Sequence, residues 1–335
     1  MRREFGISIA LALLAGMLAA VNPDFYSAAN LLNLTRQIAM LGIFAIGASF
    51  VIVGGGIDLS VGSVIGITGV IVAAISAPVG GGLGQPLWVS IPIALGVAVL
   101  AGLMQGILIA GLGIQPFIAT LGGMLVLRGI SQTICRGGTI SFGASSFRDL
   151  IDHGLFRIGN SCLLPYPILI FLLVAGSAVY ALHLSVFGRQ VYAIGGNREA
   201  SAYSGIDVRR IEVLTYVISS GLAGLAGVVY AAYIGQMSHV VGTSYELIAI
   251  AAVVLGGCSL RGGEGTIPGV VIGCAVMKVI ENGINLFKLT LPGGKEWRLD
   301  TNWQYIIVGV VILSAVILDQ AVHWMRNRRA KSGMS

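Results

Sequence analysis

An all-α membrane protein of about ten transmembrane helices, some of them broken or re-entrant, is the fold class this sequence predicts. Three observations predict it. Hydrophobic residues make up 56% of the 335 and charged residues only 10%, whereas soluble domains carry about 25% charged residues. Such a chain has too little polar surface to cover a core in water. Apolar segments recur along the whole length, at about 5–21, 38–53, 61–77, 87–112, 115–134, 166–187, 211–234, 245–257, 266–287 and 303–325. Finally, 38–53, 61–77 and 245–257 fall short of the roughly 20 residues of a straight span and are interrupted by glycine, the mark of broken or re-entrant helices. Residues 1–335 therefore read as one transmembrane domain with no room for a soluble catalytic unit. Eight crossings plus two re-entrant pieces is the rival to ten, and either count is even.

The first apolar run, Phe5 to Val21, is followed by Asn22-Pro23-Asp24 without a small-residue cleavage pattern, so it reads as an uncleaved span. The net charge of +6 needs no nucleic acid to explain it, because Lys and Arg collect on the cytoplasmic side of membrane spans. The clusters Arg2-Arg3 and Arg326, Arg328, Arg329, Lys331 place both termini there. With ten segments, the polar stretch 185–211 is then cytoplasmic and 135–165 lies outside. In that outer loop Phe147, Leu150, Ile151 and Leu155 predict a short amphipathic helix. Cys135 and Cys162 bracket the loop and are placed to pair if that face is oxidising; two thiols packed as small apolar groups is the simpler expectation. Cys258 and Cys274 read as packing, and the four scattered histidines have no metal-ligand spacing.

Two glycine-rich breaks echo each other. Ile52–Gly66 reads IVGGGIDLSVGSVIG and Val254–Gly269 reads VLGGCSLRGGEGTIPG. Unwound backbone survives at membrane depth only where it lines a cavity or is buried in protein, so Gly54, Gly55, Gly56, Asp58, Ser60, Gly256 and Gly257 are candidates for a translocation path. An acid at that depth is a functional candidate by default; capping the helix that starts near Leu59 is the first role expected of Asp58. Gly265, Gly269 and Gly273 have the spacing of close helix contact, and Pro268 between them predicts a kink. Gly221, Gly224 and Gly227 predict another close contact. Lys278 and Glu281 are one turn apart and are expected to pair. Arg128 is expected to snorkel outward or to cap a cavity.

The stretch Ser185–Ile211, SVFGRQVYAIGGNREASAYSGIDVRRI, is a polar interruption that also reads as folded. Asn197 suits a helix N-cap, Glu199 suits the positive end of the helix dipole, and Gly205 suits a left-handed C-terminus. Arg198–Ser204 is thus a two-turn helix with Ala200 and Tyr203 on one face. So short a helix is marginal alone in water and needs a surface to lie against. A solvated loop is the plain reading, and a docking helix for a separate motor protein the sharper one.

The chain has no G-x-x-x-x-G-K-[ST], so it does not bind ATP through a P-loop. It also lacks H-E-x-x-H, G-x-S-x-G and any paired aspartate cluster. An enzyme is therefore the weakest class. An ion-coupled secondary transporter of a small polar solute needs a relay of buried titratable groups, for which Asp58 and the Lys278–Glu281 pair are the candidates.

Three runs carry a resemblance to a known family: GGGIDLSVGS at 54–63, GRQVYAIGGNREASAYSGI at 188–206 and VVLGGCSLRGGEGTIPG at 253–269. Together with their spacing, which extends over essentially the whole chain, they resemble the permease subunits of bacterial ABC importers for ribose, xylose, galactosides and related sugars. The resemblance implies a multi-pass protein of the cell inner membrane with no cofactor of its own. It also implies a second permease subunit, two cytoplasmic ATPase subunits that bind the ATP, and a periplasmic sugar-binding protein. Glu199-Ala200-Ser201 with Gly205 matches the E-A-A-x-x-x-G coupling pattern, with Ser for the second Ala and without the I-x-L-P tail. This implies that Asn197, Arg198, Glu199, Ala200, Tyr203 and Gly205 couple to the ATPase. The charged run near 287–303, with Lys288, Lys295, Glu296, Arg298 and Asp300, would face the binding protein.

Overall fold

The computed structural model describes residues 2–78, 81–143, 147, 151, 153–158, 161–290, 296–298 and scattered positions from 303 to 317. The fold is a helical bundle. Its helices are α1 (Arg2–Val21), α2 (Ala28–Val53), α3 (Val61–Ser76), α4 (Leu87–Gly106), α5 (Pro116–Cys135), α6 (Tyr166–Val179), α7 (Val186–Gly196), α8 (Arg198–Tyr203), α9 (Val208–Ile234), α10 (Tyr245–Leu255) and α11 (Ile267–Leu286). The helices α4 and α6 each run on into a π-helical turn, at Ile107–Gly111 and Tyr180–Leu184. Among the described residues, seven helical stretches are long and apolar enough to cross a membrane, and α3 and α10 are shorter apolar helices. The chain is a mostly helical, multi-pass membrane protein. The apolar segment at 303–325 lies largely outside the described residues.

The helix α2 corrects the expectation for 38–53. It starts ten residues earlier and is 26 residues long. The sequence hides this because Asn30, Asn33 and Arg36 interrupt the apolar pattern. Two of these residues are paired inside the bundle: Asn30 Nδ2 donates to Asn282 Oδ1 at 3.1 Å, and Tyr233 donates its hydroxyl to Asn33 at 2.9 Å. Every residue from Ala39 to Val53 is buried, so α2 is the axis of the bundle. The helix α9 runs antiparallel to it: Asn33 meets Tyr233, Gly47 meets the Ser219 backbone, and Val51 packs with Tyr216. Glycine allows this closeness: a Cβ added at Gly47 would come within 3.0 Å of the Ser219 carbonyl. The helix α9 is packed as tightly on α3 and α4, where a Cβ added at Gly227 would come within 2.6 Å of the Ile65 carbonyl and one at Gly224 would collide with Ala98.

The strands are short: β1 (Thr139–Ser141) pairs antiparallel with β4 (Gln236–Ser238), β2 (Gly154–Ile158) with β3 (Ser161–Pro165), and β5 (Lys288–Thr290) with β6 (Glu296–Arg298); Ile140 of β1 and Met237 of β4 are buried in the bundle core. Leu155 therefore lies in a strand and not in the expected amphipathic helix; Phe147, which is helical, and Ile151, in a turn, are both buried, and Leu150 lies outside the described residues. Cys135 is a buried free thiol; the side chain of Cys162 lies outside the described residues. Of the charged run near 287–303, Lys295 and Asp300 are also outside them. The expected kink at Pro268 is absent, because this proline occupies the first turn of α11, where its missing N–H costs nothing.

The half-length helices explain the broken segments. After α2 ends beside α7, residues 54–60 turn back along the bundle, and α3 starts only at Val61. Asp58 in this return segment bonds to Ser219, about 16 Å up α9 at 1.5 Å per residue. Residues 235–244 do the same from the opposite end after α9. The two returns meet where Gly62 of α3 packs against Gly242. From that point α3 and α10 run to opposite ends. The pairs α2–α3 and α9–α10 thus form an inverted arrangement of the kind found in transporters. The sequence echo pairs 54–60 with 256–266; the structural counterpart of 54–60 is instead 235–244.

Candidate functional site

Local chemistry alone builds α8. The Asn197 side chain accepts the Ala200 N–H at 2.9 Å, satisfying one orphan donor of the first turn. At the other end Gly205 has φ +82°. Its N–H reaches the Ala202 carbonyl at 3.1 Å, and the Ile206 N–H reaches that of Ser201 at 3.2 Å, the Schellman arrangement. Only Ser201 is buried. Glu199, Ala200 and Tyr203 face outward, Tyr203 with 91% of its surface exposed. Arg198 anchors the helix with a two-pronged ion pair to Glu212 on α9, at 2.6 and 3.0 Å. That hydrogen bond holds the guanidinium pKa above its ordinary value.

Behind α8 lies a cleft of ≈ 510 Å³, walled by Gly54–Gly56, the turn Gly113–Pro116, Ile194–Arg198, Thr215, Tyr216 and Arg261. The structure therefore brings the first glycine run together with Asn197 and Arg198. Asp58 and Ser60 are not part of this wall. They are buried in a polar knot, where Asp58 Oδ1 accepts the N–H and hydroxyl of Ser60 at 2.9 and 2.6 Å and Oδ2 accepts the Ser219 hydroxyl at 2.7 Å. The Ser60 oxygen also lies 3.1 Å from Gln105 Oε1. By taking the Ser60 N–H, Asp58 closes an Asx turn just ahead of α3; the N-cap of that helix is Ser60, without a side-chain cap bond, so Asp58 shapes the approach to α3 and does not itself cap it as expected. Gly256 is away from the cleft too. Its Cα is pressed against the Gly269 backbone of α11, and Gly257, with φ +90°, makes the turn out of α10.

The second return segment is held differently. Arg128, expected either to snorkel outward or to cap a cavity, turns inward and donates to the carbonyls of His239 and Val241 at 2.6 and 2.8 Å. Ser244, just before α10, has φ +66°, an uncommon conformation for a residue with a Cβ. Glu246, in the first turn of α10, is buried, and its Oε2 has no hydrogen-bond partner. The pair Lys278–Glu281 forms as expected, at 2.6 Å. Sequence reasoning missed Ser219, Gln105, Tyr216 and Glu246, which sit in apolar runs and reveal themselves only by what they face.

Residues 30–316 match the family described as the permease component of branched-chain amino acid transport systems. The chain belongs to this permease family. It is 39% identical over 311 residues to the ribose import permease of Escherichia coli (strain K12), with 93% of this chain and 92% of that one covered. An inner membrane ABC transporter permease protein of the same strain is 34% identical over 310 residues, covering 92% and 89%. The xylose transport system permease of that strain is 32% identical, covering 89% and 86%. No solved structure matches the chain.

Proposed function

We propose that this permease is the membrane subunit of a binding-protein-dependent ABC importer and conducts a monosaccharide or related sugar across a bacterial inner membrane. The observation that carries the proposal is α8: a capped, anchored helix that buries one residue and turns Glu199, Ala200 and Tyr203 outward. Two cytoplasmic ATPase subunits supply the surface it meets and bind the ATP. A second permease subunit, identical or paralogous, and a periplasmic sugar-binding protein complete the assembly. The ribose and xylose permeases among its relatives support sugar as the cargo.

On this reading residues 1–335 form one permease domain. The seven long helices, the half-helices α3 and α10 and the apolar segment at 303–325 make ten, which places both termini and 185–211 in the cytoplasm and 135–165 outside. Gly54–Gly56 line the inner mouth of the sugar path. A sugar leaving water loses hydrogen bonds worth roughly 2–7 kcal/mol each when unpaired, and backbone groups freed at a helix break replace them without a charged site. Asp58 holds that break open by shaping the approach to α3.

The test is co-purification with a P-loop ATPase whose turnover rises when sugar-loaded binding protein is added. A chain that takes up solute along an ion gradient with no ATPase present overturns the proposal.

A further inference from the structure

Gly195 lies where the segment leading into α8 touches both glycine-rich turns of the bundle, and it touches them through backbone alone. A Cβ added there would collide with the Val53 carbonyl at the end of α2 and with the Gly263 amide in the turn between α10 and α11. Those two groups are bonded to each other, since the Gly263 N–H donates to the Val53 oxygen at 2.8 Å. The contact is closed from the other sides as well. A Cβ at Gly262 would come within 2.8 Å of the Gly55 Cα and of the Gly195 carbonyl, and one at Gly263 within 3.0 Å of the Gly196 Cα. Gly55, Gly262 and Gly263 all have positive φ, at +85°, +84° and +74°, so the two turns are shaped to bring bare backbone to this point.

A second tie runs alongside. Tyr192, three residues before Gly195 on α7, donates its hydroxyl to the Gly265 carbonyl at 2.6 Å and lies 3.3 Å from His183 Nδ1. His183 Nε2 accepts the Ile267 N–H at 3.1 Å, at the start of α11. The approach to α8 is thereby fastened to the end of α2 and to the start of α11.

We infer that Gly195 is the positioning residue through which movement of α8 reaches both ends of the helix breaks. Close-packed backbone transmits displacement because it has no side-chain rotamer to absorb it; protein interiors of this density respond to sub-ångström shifts by moving neighbours as units. This inference rests on the reading of α8 as the ATPase docking helix and extends it by naming the route. Gly176, exposed on α6 and away from the cleft, provides the control, as a Cβ there meets nothing within 4 Å.

The experiment reconstitutes the full importer in liposomes with wild type, Gly195→Ala or Gly176→Ala permease, and measures sugar uptake per ATP hydrolysed. The added methyl must push the α2 end and the 262–263 turn apart, so Gly195→Ala lowers that ratio about tenfold or more while ATPase turnover persists. Gly176→Ala leaves the ratio at the wild-type value. An unchanged ratio for Gly195→Ala, or a drop in uptake and ATPase turnover in equal proportion, overturns the inference. Should Gly195→Ala fail to assemble, hydrogen exchange on the wild-type importer decides. Peptides covering 52–56, 191–196 and 260–264 change protection together when a non-hydrolysable ATP analogue and loaded binding protein are added, and a change confined to 198–205 overturns the inference. Wild-type permease that neither binds an ATPase nor imports sugar with ATP would instead refute the importer reading itself.

Discussion

Residues 54–60 and 235–244 perform the same geometric task from opposite ends of the bundle, and the chain stabilises them by opposite means. The first return is closed on itself: three hydroxyl or amide donors converge on Asp58, and both carboxylate oxygens are used. The second has no such centre. Arg128 straps two of its carbonyls to α5 from outside, Ser244 sits in a left-handed conformation, and Glu246 Oε2 is left without a hydrogen bond. A buried acceptor left unpaired costs about 1–3 kcal/mol. The difference leaves the second return with less to lose on moving.

The comparison breaks most visibly at Asp58. Asp58→Leu strands the Ser60 N–H and the Ser219 hydroxyl in the interior and is expected to cost about 2–6 kcal/mol at 1–3 kcal/mol for each unpaired group, read as a large fall in unfolding temperature and loss of uptake. Asp58→Asn keeps an acceptor and retains much of both. Asn as inactive as Leu, in a protein that still folds and binds its ATPase, would mean the charge itself works, as ion coupling requires.

At the other return, Arg128→Leu frees the His239 and Val241 carbonyls and is expected to cost about 2–4 kcal/mol. Its more specific signature is local: a cysteine at Thr243 reacts faster with a thiol reagent in the Arg128→Leu background than in the wild type, while one at Leu59 does not. Equal changes at both would show that the two returns share one fate.

Legibility in the sequence differs by element. The features of α8 are local, so Asn197, Glu199 and Gly205 mark its cap, dipole and end from residue type and spacing alone. Segment boundaries are readable wherever apolar runs end at glycine or proline. The start of α2 is not, because Asn30 and Asn33 look like surface residues until their partners on α11 and α9 are known. The echo between 54–60 and 256–266 misleads for a related reason. Glycine pairs mark turns whatever the turn does, whereas the true counterpart of 54–60 contains only Gly235 and Gly242 and is held by a side chain from α5. The Asp58 knot needs Ser219, 161 positions away, which no local pattern supplies.

Smaller effects sharpen the account of α8. Gly205→Val forces a branched residue toward positive φ at about 1–2 kcal/mol; no neighbour lies within 4 Å of a Cβ there, so the penalty is confined to the helix end. Expression and unfolding temperature are expected to hold while stimulation of the ATPase by loaded binding protein is lost. Arg198→Ala removes an ion pair whose arginine is 58% exposed and is expected to cost under about 1 kcal/mol, with a reduction in coupling and no effect on folding.

The central claim is that α8 meets the motor protein, and Tyr203 tests it most directly. A photo-crosslinking residue is placed at Tyr203, and separately at Thr139 on the opposite end of the bundle, in the assembled importer. Irradiation should join Tyr203 to the ATPase chain, the yield changing between nucleotide-free and ATP-bound states, and should join Thr139 to no ATPase. An intact, active complex in which Tyr203 never links to the ATPase would contradict the account.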